Sequence, residues 1–204
     1  MTKLKIKATL TEMMLGTASN NPDVHDEYIA SLAPDAVSRA EEVAAIGVDN
    51  EIDKSMTVFP RLNGQSDGQP FVFDYMIRGF LKNAARANAR MSDSLTSKQK
   101  AYIKIISDTV FVFPRMIPLQ YEGAEQGIVG NLQRPLRGQT AQGERISLAN
   151  SETVPAGAEL EFEIEILDSK YVPLVIEWLN YGKYQGLGQW RNASFGRFTY
   201  EVVE

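Results

Sequence analysis

The chain has 204 residues, 44% hydrophobic and 23% charged, which is the composition of an ordinary globular protein with room for one substantial core. It has no cysteine, so disulfides and thiolate metal sites are excluded. No apolar run approaches the roughly 18–20 residues that span a bilayer, so a cytoplasmic protein without membrane contact is expected; separately, no cofactor is expected. The net charge of −5 argues against a simple basic nucleic-acid coat, but the charges are unevenly spread. Residues 1–60 carry 5 Lys/Arg and 10 Asp/Glu, residues 61–145 carry 12 and 7, and residues 146–204 carry 4 and 9. Either the fold shows a basic face on an acidic body, or these charges interleave and cancel.

In chain order, Lys3 to Leu10 alternates between polar and apolar residues and reads as a first strand. Gly16 to Pro22 reads as a loop, and Pro34-Asp35 starts a helix to about Ile46, closed by Gly47. Met56 to Phe59 and Phe71 to Phe73 read as short extended pieces, with a turn at Gly64 to Gly68. From Tyr75 to Met91 the period becomes helical, with Ile77, Phe80, Leu81, Ala84 and Met91 on one side. Arg78, Lys82, Arg86 and Arg90 recur every fourth residue along this helix, and no acid occurs between Asp74 and Asp93. They form a basic stripe that is either a solvated face or a set of phosphate contacts.

A second helix is expected over Ser97 to Ile106 and a strand over Thr109 to Phe113. Glu122 to Arg145 is rich in Gly and Gln with little hydrophobic periodicity, and reads as a long loop holding Arg134, Arg137 and Arg145. Glu159 to Ile166 is a period-two strand with Leu160, Phe162, Ile164 and Ile166 on one face and four glutamates on the other. That acidic face suits a basic protein partner. Val172 to Tyr181 is a helix with Leu174, Val175, Trp178 and Leu179 inward, and Thr199 to Val203 is a last strand. Between them lies Gly186-Leu-Gly-Gln-Trp-Arg-Asn-Ala-Ser-Phe-Gly196, bracketed by Arg191 and Arg197. With Gly186, Gly188 and Gly196 it is either a tight connection or a backbone cradle for an anion. Trp190, Phe195 and Tyr184 are its candidates for stacking on a base. The element order predicts a single α+β domain over 1–204: a ferredoxin-like (RRM-like) antiparallel sheet with helices on one face, plus a helical insertion at 17–55 and a long loop at 122–150.

Four pieces of this sequence, in order, resemble the RAMP superfamily of CRISPR-associated proteins, especially the backbone subunits of type III effector complexes. They are the first strand running into Met14-Leu15-Gly16, the helix opening Tyr75-Met-Ile-Arg-Gly-Phe-Leu-Lys-Asn-Ala-Ala-Arg86, the strand lead-in Thr153-Val-Pro-Ala-Gly157 and the glycine loop near the end. The family helix usually opens with a Pro-Gly-Ser-Ser-like stretch where this chain has Met76-Ile-Arg78, which suits a distant stand-alone, phage or prophage relative. The resemblance implies single-stranded RNA binding by a non-catalytic protein that assembles with copies of itself or in a CRISPR-type complex. In this family order the loop 122–150 takes the place of a protruding thumb. The expected nucleic-acid contacts are Arg78, Lys82, Arg86, Arg90, Arg134, Arg137, Arg145, Gly186, Gly188, Trp190, Arg191, Gly196 and Arg197.

Three other readings stay open. Single-stranded DNA offers the same phosphates and bases. A phage factor that mimics a CRISPR subunit or interferes with its complex needs no grip on RNA. The third is a metal-independent endoribonuclease. His25 is the one histidine, and superfamily processing enzymes place a general base after the first strand. Target-cutting subunits use an aspartate in the same region, where Asp23 and Asp26 stand beside Glu27. These acids lack the spacing of a calcium loop, and no Walker loop or nucleophile motif occurs.

Overall fold

A computed structural model describes residues 1–19, 56–140 and 143–203. In chain order the elements are β1 (Thr2–Leu10), β2 (Met14–Leu15), β3 (Ala18–Ser19), β4 (Met56–Val58), β5 (Phe71–Phe73), α1 (Asp74–Asn88) and α2 (Tyr102–Thr109). Then follow β6 (Val110–Phe113), β7 (Met116–Gln120), β8 (Gly130–Thr140), β9 (Gly143–Val154), β10 (Glu159–Ile166), α3 (Val172–Asn180) and β11 (Phe198–Val203). They fall into two compact units: Met1–Met14, Phe71–Tyr121 and Pro155–Glu204 form the first, Leu15–Pro70 and Glu122–Val154 the second. The expected helix at 34–46 and the residues His25, Asp23 and Asp26 lie outside the described residues.

The first unit is an antiparallel sheet flanked by helices, the α+β arrangement expected. Its strand order is β11-β1-β10-β7-β5, and β6 also pairs with β10. Strand β1 lies between β10 and β11, with Ile6 opposite both Phe162 and Val202. The side-chain period of two puts Ile6, Ala8, Leu10, Leu160, Phe162, Ile164 and Ile166 on one face, and all seven are buried. Helices α1 and α3 cover that face. Ile77, Phe80, Leu81 and Ala84 from α1 and Leu174, Val175, Trp178 and Leu179 from α3 are buried, and the Phe80 and Phe198 rings meet edge-on at 5.0 Å. Each such aliphatic or aromatic burial contributes about 1.5–3 kcal/mol, and slipping the register by one residue would turn the whole set to solvent.

The opposite face carries the four glutamates of β10, and the sheet itself supplies their counter-charges. Lys3 lies opposite Glu165, Lys5 opposite Glu163 and Lys7 opposite Glu161. Lys3 pairs with Glu165 and, at 3.0 Å, with Glu163, and Lys7 pairs with Glu159 at 2.9 Å. The acidic face is therefore a Lys/Glu ladder within the chain, so a basic partner is not needed to explain it. Hydrogen bonding to Glu165 and Glu163 raises the Lys3 pKa above 10.5, and Glu159 does the same for Lys7. A raised folded-state value means that the ladder's stabilisation is full below the unfolded pKa of 10.5 and is lost as pH climbs through the folded one. Thermal melts in rising alkaline pH should therefore show a drop in Tm that shrinks in Lys3→Met with Lys7→Met; an unchanged drop would dissociate the ladder from alkaline stability.

The expected helix over Ser97 to Ile106 is divided. A short 3-10 turn covers Thr96–Lys98, Gln99 is extended, and α2 starts at Tyr102 after Ala101, whose φ is +57°. The cause lies in α3. The Glu177 carboxylate accepts hydrogen bonds from the Leu95 and Thr96 backbone N–H groups, at 2.6 and 3.0 Å, and from the Thr96 hydroxyl. The same hydroxyl accepts from the indole of buried Trp178 at 2.8 Å. Glu177→Ala would leave these donors without their acceptor beside a fully buried Thr96, so a loss of about 2–3 kcal/mol in denaturant unfolding is expected, and less in Glu177→Gln.

In the second unit, the segment read as a loop is from Gly130 onward a β-hairpin. Strands β8 and β9 pair from Gly130↔Thr153 to Thr140↔Gly143. Strand β4 joins β9 in parallel and β3 in antiparallel fashion. Arg61, only 4% exposed, anchors the base of this unit. Its guanidinium reaches Glu152 at 2.7 Å and the Gly68 and Gly127 carbonyls at 3.3 and 3.2 Å. The other Glu152 oxygen accepts from the Phe59 N–H at 2.8 Å.

Candidate nucleic-acid interface

Helix α1 starts with Asp74 in its first turn and buries Ile77, Phe80, Leu81, Ala84, Ala85 and Asn88. Burial pushes the Asp74 carboxyl up, opposed by the Tyr75 N–H and by the Arg115 and Arg78 guanidiniums. The basic stripe does not act as one unit. Arg78 is half-buried; it donates to the Ser107 carbonyl at 3.0 Å and lies over the Phe111 ring at 5.6 Å. Lys82 is half-buried, whereas Arg86 and Arg90 are exposed. Gly79 occupies mid-helix, and beyond the helix's own turn no described atom lies within 4 Å of the position a Cβ would take. Against alanine it costs the helix about 0.5–1 kcal/mol with no packing in return.

The glycine loop owes its shape to close backbone packing. The Leu187 N–H donates to the Gly196 carbonyl at 2.9 Å, and the Gly196 N–H donates to the Met13 carbonyl at 2.8 Å. A Cβ on Gly186 would lie 1.7 Å from the Gly196 carbonyl oxygen, and Gly196 has φ +70°. No other residue fits either place. Gly188 also takes a positive φ. The Arg197 Nε donates to the Tyr184 carbonyl at 3.1 Å and straps the loop to the turn before it. Trp190 is half-buried, 6.1 Å from the tilted Phe195 ring, while Tyr184 is the exposed aromatic of this region at 59%.

Held in this way, the loop presents Arg191 to the end of α1. A cleft of about 260 Å³ is lined by Asn83, Arg86, Ala87, Arg90, Gln185 and Arg191. Three expected contacts, Arg86, Arg90 and Arg191, thus come together, from segments about a hundred residues apart in sequence. The Arg86 guanidinium donates to Asn83 Oδ1 at 3.1 Å, and Gln185 donates to Asn192 at 3.1 Å, so two amides stiffen the rim. Among the described residues no carboxylate pairs with Arg86, Arg90 or Arg191. A helix C-terminus favours cations, which accounts for Arg86 and Arg90 but not for Arg191 from a separate loop. Among the described residues, the cleft's lining thus holds three guanidiniums and no carboxylate.

Asn83 and Gln185 were not expected in the site; their signals are that Asn83 stands three residues before Arg86 on the helix and Gln185 immediately precedes Gly186. Arg134 and Arg137 lie on β8, opposite Ala149 and Ile146, and Arg145 lies on β9 opposite Gly138. These three belong to the second unit. Among the described residues, no group of three His, Cys, Asp or Glu is placed to hold a metal ion, and no helix is long and apolar enough to cross a membrane.

The sheet, its helical layer and the glycine loop define a ferredoxin-like α+β protein. Comparison with solved structures adds a distant likeness of fold to CRISPR effector-complex proteins. A chain in the cryo-EM structure of the type III-B Cmr-beta complex bound to cognate target RNA superposes with a TM-score of 0.50 at 9% identity, covering 99% of this chain and 60% of that one. A chain of a type IV-B CRISPR complex gives 0.52 at 12% identity, with 99% and 90% covered. The present chain thus spans about 60% of the length of the type III-B chain. No family model matches the sequence, and comparison with curated proteins gives no match.

Proposed function

We propose that this chain binds single-stranded RNA as a non-catalytic, RAMP-like backbone subunit, and assembles along the RNA with its own copies or in a CRISPR-type complex. The observation that carries this reading is the convergence of Arg86, Arg90 and Arg191 on one cleft whose described lining has no acid. Guanidiniums that outnumber any nearby carboxylate suit a polyanion, and an open cleft suits a backbone that enters and leaves it rather than an enclosed small ligand. Exposed Tyr184 beside the loop, with Lys183 Nζ 5.0 Å from its ring centroid, is the candidate for stacking on a base. The likeness of fold to a chain of the type III-B complex bound to target RNA supports RNA ahead of DNA. We read 1–204 as one RAMP-like domain in which 17–55 is an insertion and the hairpin within 122–150 takes the thumb's place in the order.

Photo-crosslinking with 4-thiouridine RNA, followed by peptide mapping, tests the site. Crosslinks should concentrate in 83–90 and 184–191. Crosslinks confined to other segments, or obtained equally with a thiolated DNA of the same sequence, would contradict the site or the RNA preference respectively.

A further inference from the structure

The cleft occupies only the C-terminal part of α1, yet the exposed face of the helix continues toward its start. Tyr75, Gly79, Lys82 and Arg86 follow one another in steps of three and four, with Asn83 beside Lys82 and Arg90 just past the helix end, so they form one stripe opposite the buried residues. Tyr75 is 39% exposed, and its ring is stacked on Phe73 at 5.2 Å and 13°, which holds it in a fixed orientation. Between Tyr75 and the arginines, a Cβ added at Gly79 would meet no described atom within 4 Å beyond the helix's own turn. No acid follows Asp74 on this helix.

We infer that this face of α1 is a track for the bound strand: Arg86, Arg90 and Arg191 hold phosphates, the sugar–phosphate backbone crosses closely over Gly79, and a base stacks on Tyr75. The inference rests on the proposed function and extends it to a second contact. From Tyr75 to Arg86 is eleven residues, about 16 Å along the axis. That length matches about five stacked nucleotides at about 3.4 Å each. A mid-helix glycine with open space around it is unfavourable for the fold alone, and it is explained by a ligand that leaves no room for a side chain.

Fluorescence anisotropy with labelled oligouridine tests this on the full chain, with each variant's folding checked by thermal melting. Gly79→Ala should melt higher than wild type, as a helix former replacing glycine, and still bind several-fold more weakly. Gly79→Leu should bind at least about tenfold more weakly, and Tyr75→Ala about tenfold, while Tyr75→Phe binds as wild type does. Wild-type affinity in folded Gly79→Leu overturns the track, even where Arg86→Glu with Arg191→Glu abolishes binding and so upholds the proposed function. A Gly79→Leu variant with altered sedimentation but unchanged RNA affinity gives the face to a protein helix and likewise overturns it. No binding by wild type overturns the track and the proposed function together.

Discussion

Arg86→Glu with Arg191→Glu is expected to weaken single-stranded RNA binding by more than about a hundredfold. In the proposed complex each arginine supplies a charge-assisted contact to phosphate, and each reversal would replace that attraction by a repulsion. Both side chains line the same cleft, from α1 and from the glycine loop. The slope of log affinity against log salt should also fall, by about 0.7 for each phosphate contact removed. The fold should be indifferent, because Arg86 is exposed, Arg191 half-buried, and neither pairs with a carboxylate among the described residues. Lys100→Glu with Lys170→Glu makes the same change in net charge at exposed positions outside the cleft and should leave affinity within a few-fold. Equal losses in both double variants, read by filter retention, would mean that net charge governs binding and the cleft does not.

Arg61→Ala should destabilise the chain by about 3–5 kcal/mol in equilibrium unfolding. The substitution strands the Glu152 carboxylate, whose side chain is 13% exposed, and removes the donor to two carbonyls. The loss comes from burying an unpaired charge, so neutralising both partners should restore part of it. In Arg61→Met with Glu152→Gln, the glutamine oxygen still accepts from Phe59 and no charge is buried. A double variant no more stable than Arg61→Ala would show that the carbonyl contacts, and not the ion pair, matter.

The residues differ in how much structure they disclose. Glu159 to Ile166 is legible because burial of a single face imposes alternation, and β10 has the expected bounds. The basic helix is legible for the same reason at a period near four, although it ends at Asn88 and not at Met91. The hairpin β8–β9 is hidden because Gly130 to Thr140 contains Pro135, two glycines and two arginines but few apolar residues, so its pairing is visible in backbone hydrogen bonds and not in side-chain pattern. Strand β7 is masked by Pro118 within it and Pro114 just before it, both of which argue locally against a strand. The break before α2 depends on Glu177, some eighty residues away, and no local pattern carries it.

At the site, the sequence discloses which residues are basic but not which act together. Arg78 and Arg86 look equivalent on a helical stripe, yet one is engaged by Ser107 and Phe111 and the other lines the cleft. Arg197 and Arg191 both bracket the glycine loop, yet the first straps it to Tyr184 while the second reaches the cleft. The loop glycines were expected to serve either a tight connection or an anion. The 1.7 Å approach of a Gly186 Cβ to the Gly196 carbonyl shows that close backbone packing requires glycine at Gly186, and Arg191 from the same loop lines the cleft.

The most direct test of the account is a titration of the wild-type chain with labelled single-stranded RNA over a series of salt concentrations. The account predicts retention at low salt and a linear fall of log affinity with log salt, with a slope of about −2 for three phosphates held by Arg86, Arg90 and Arg191. A folded chain that fails to retain the strand at the lowest salt, or retains it with no dependence on salt, would contradict it.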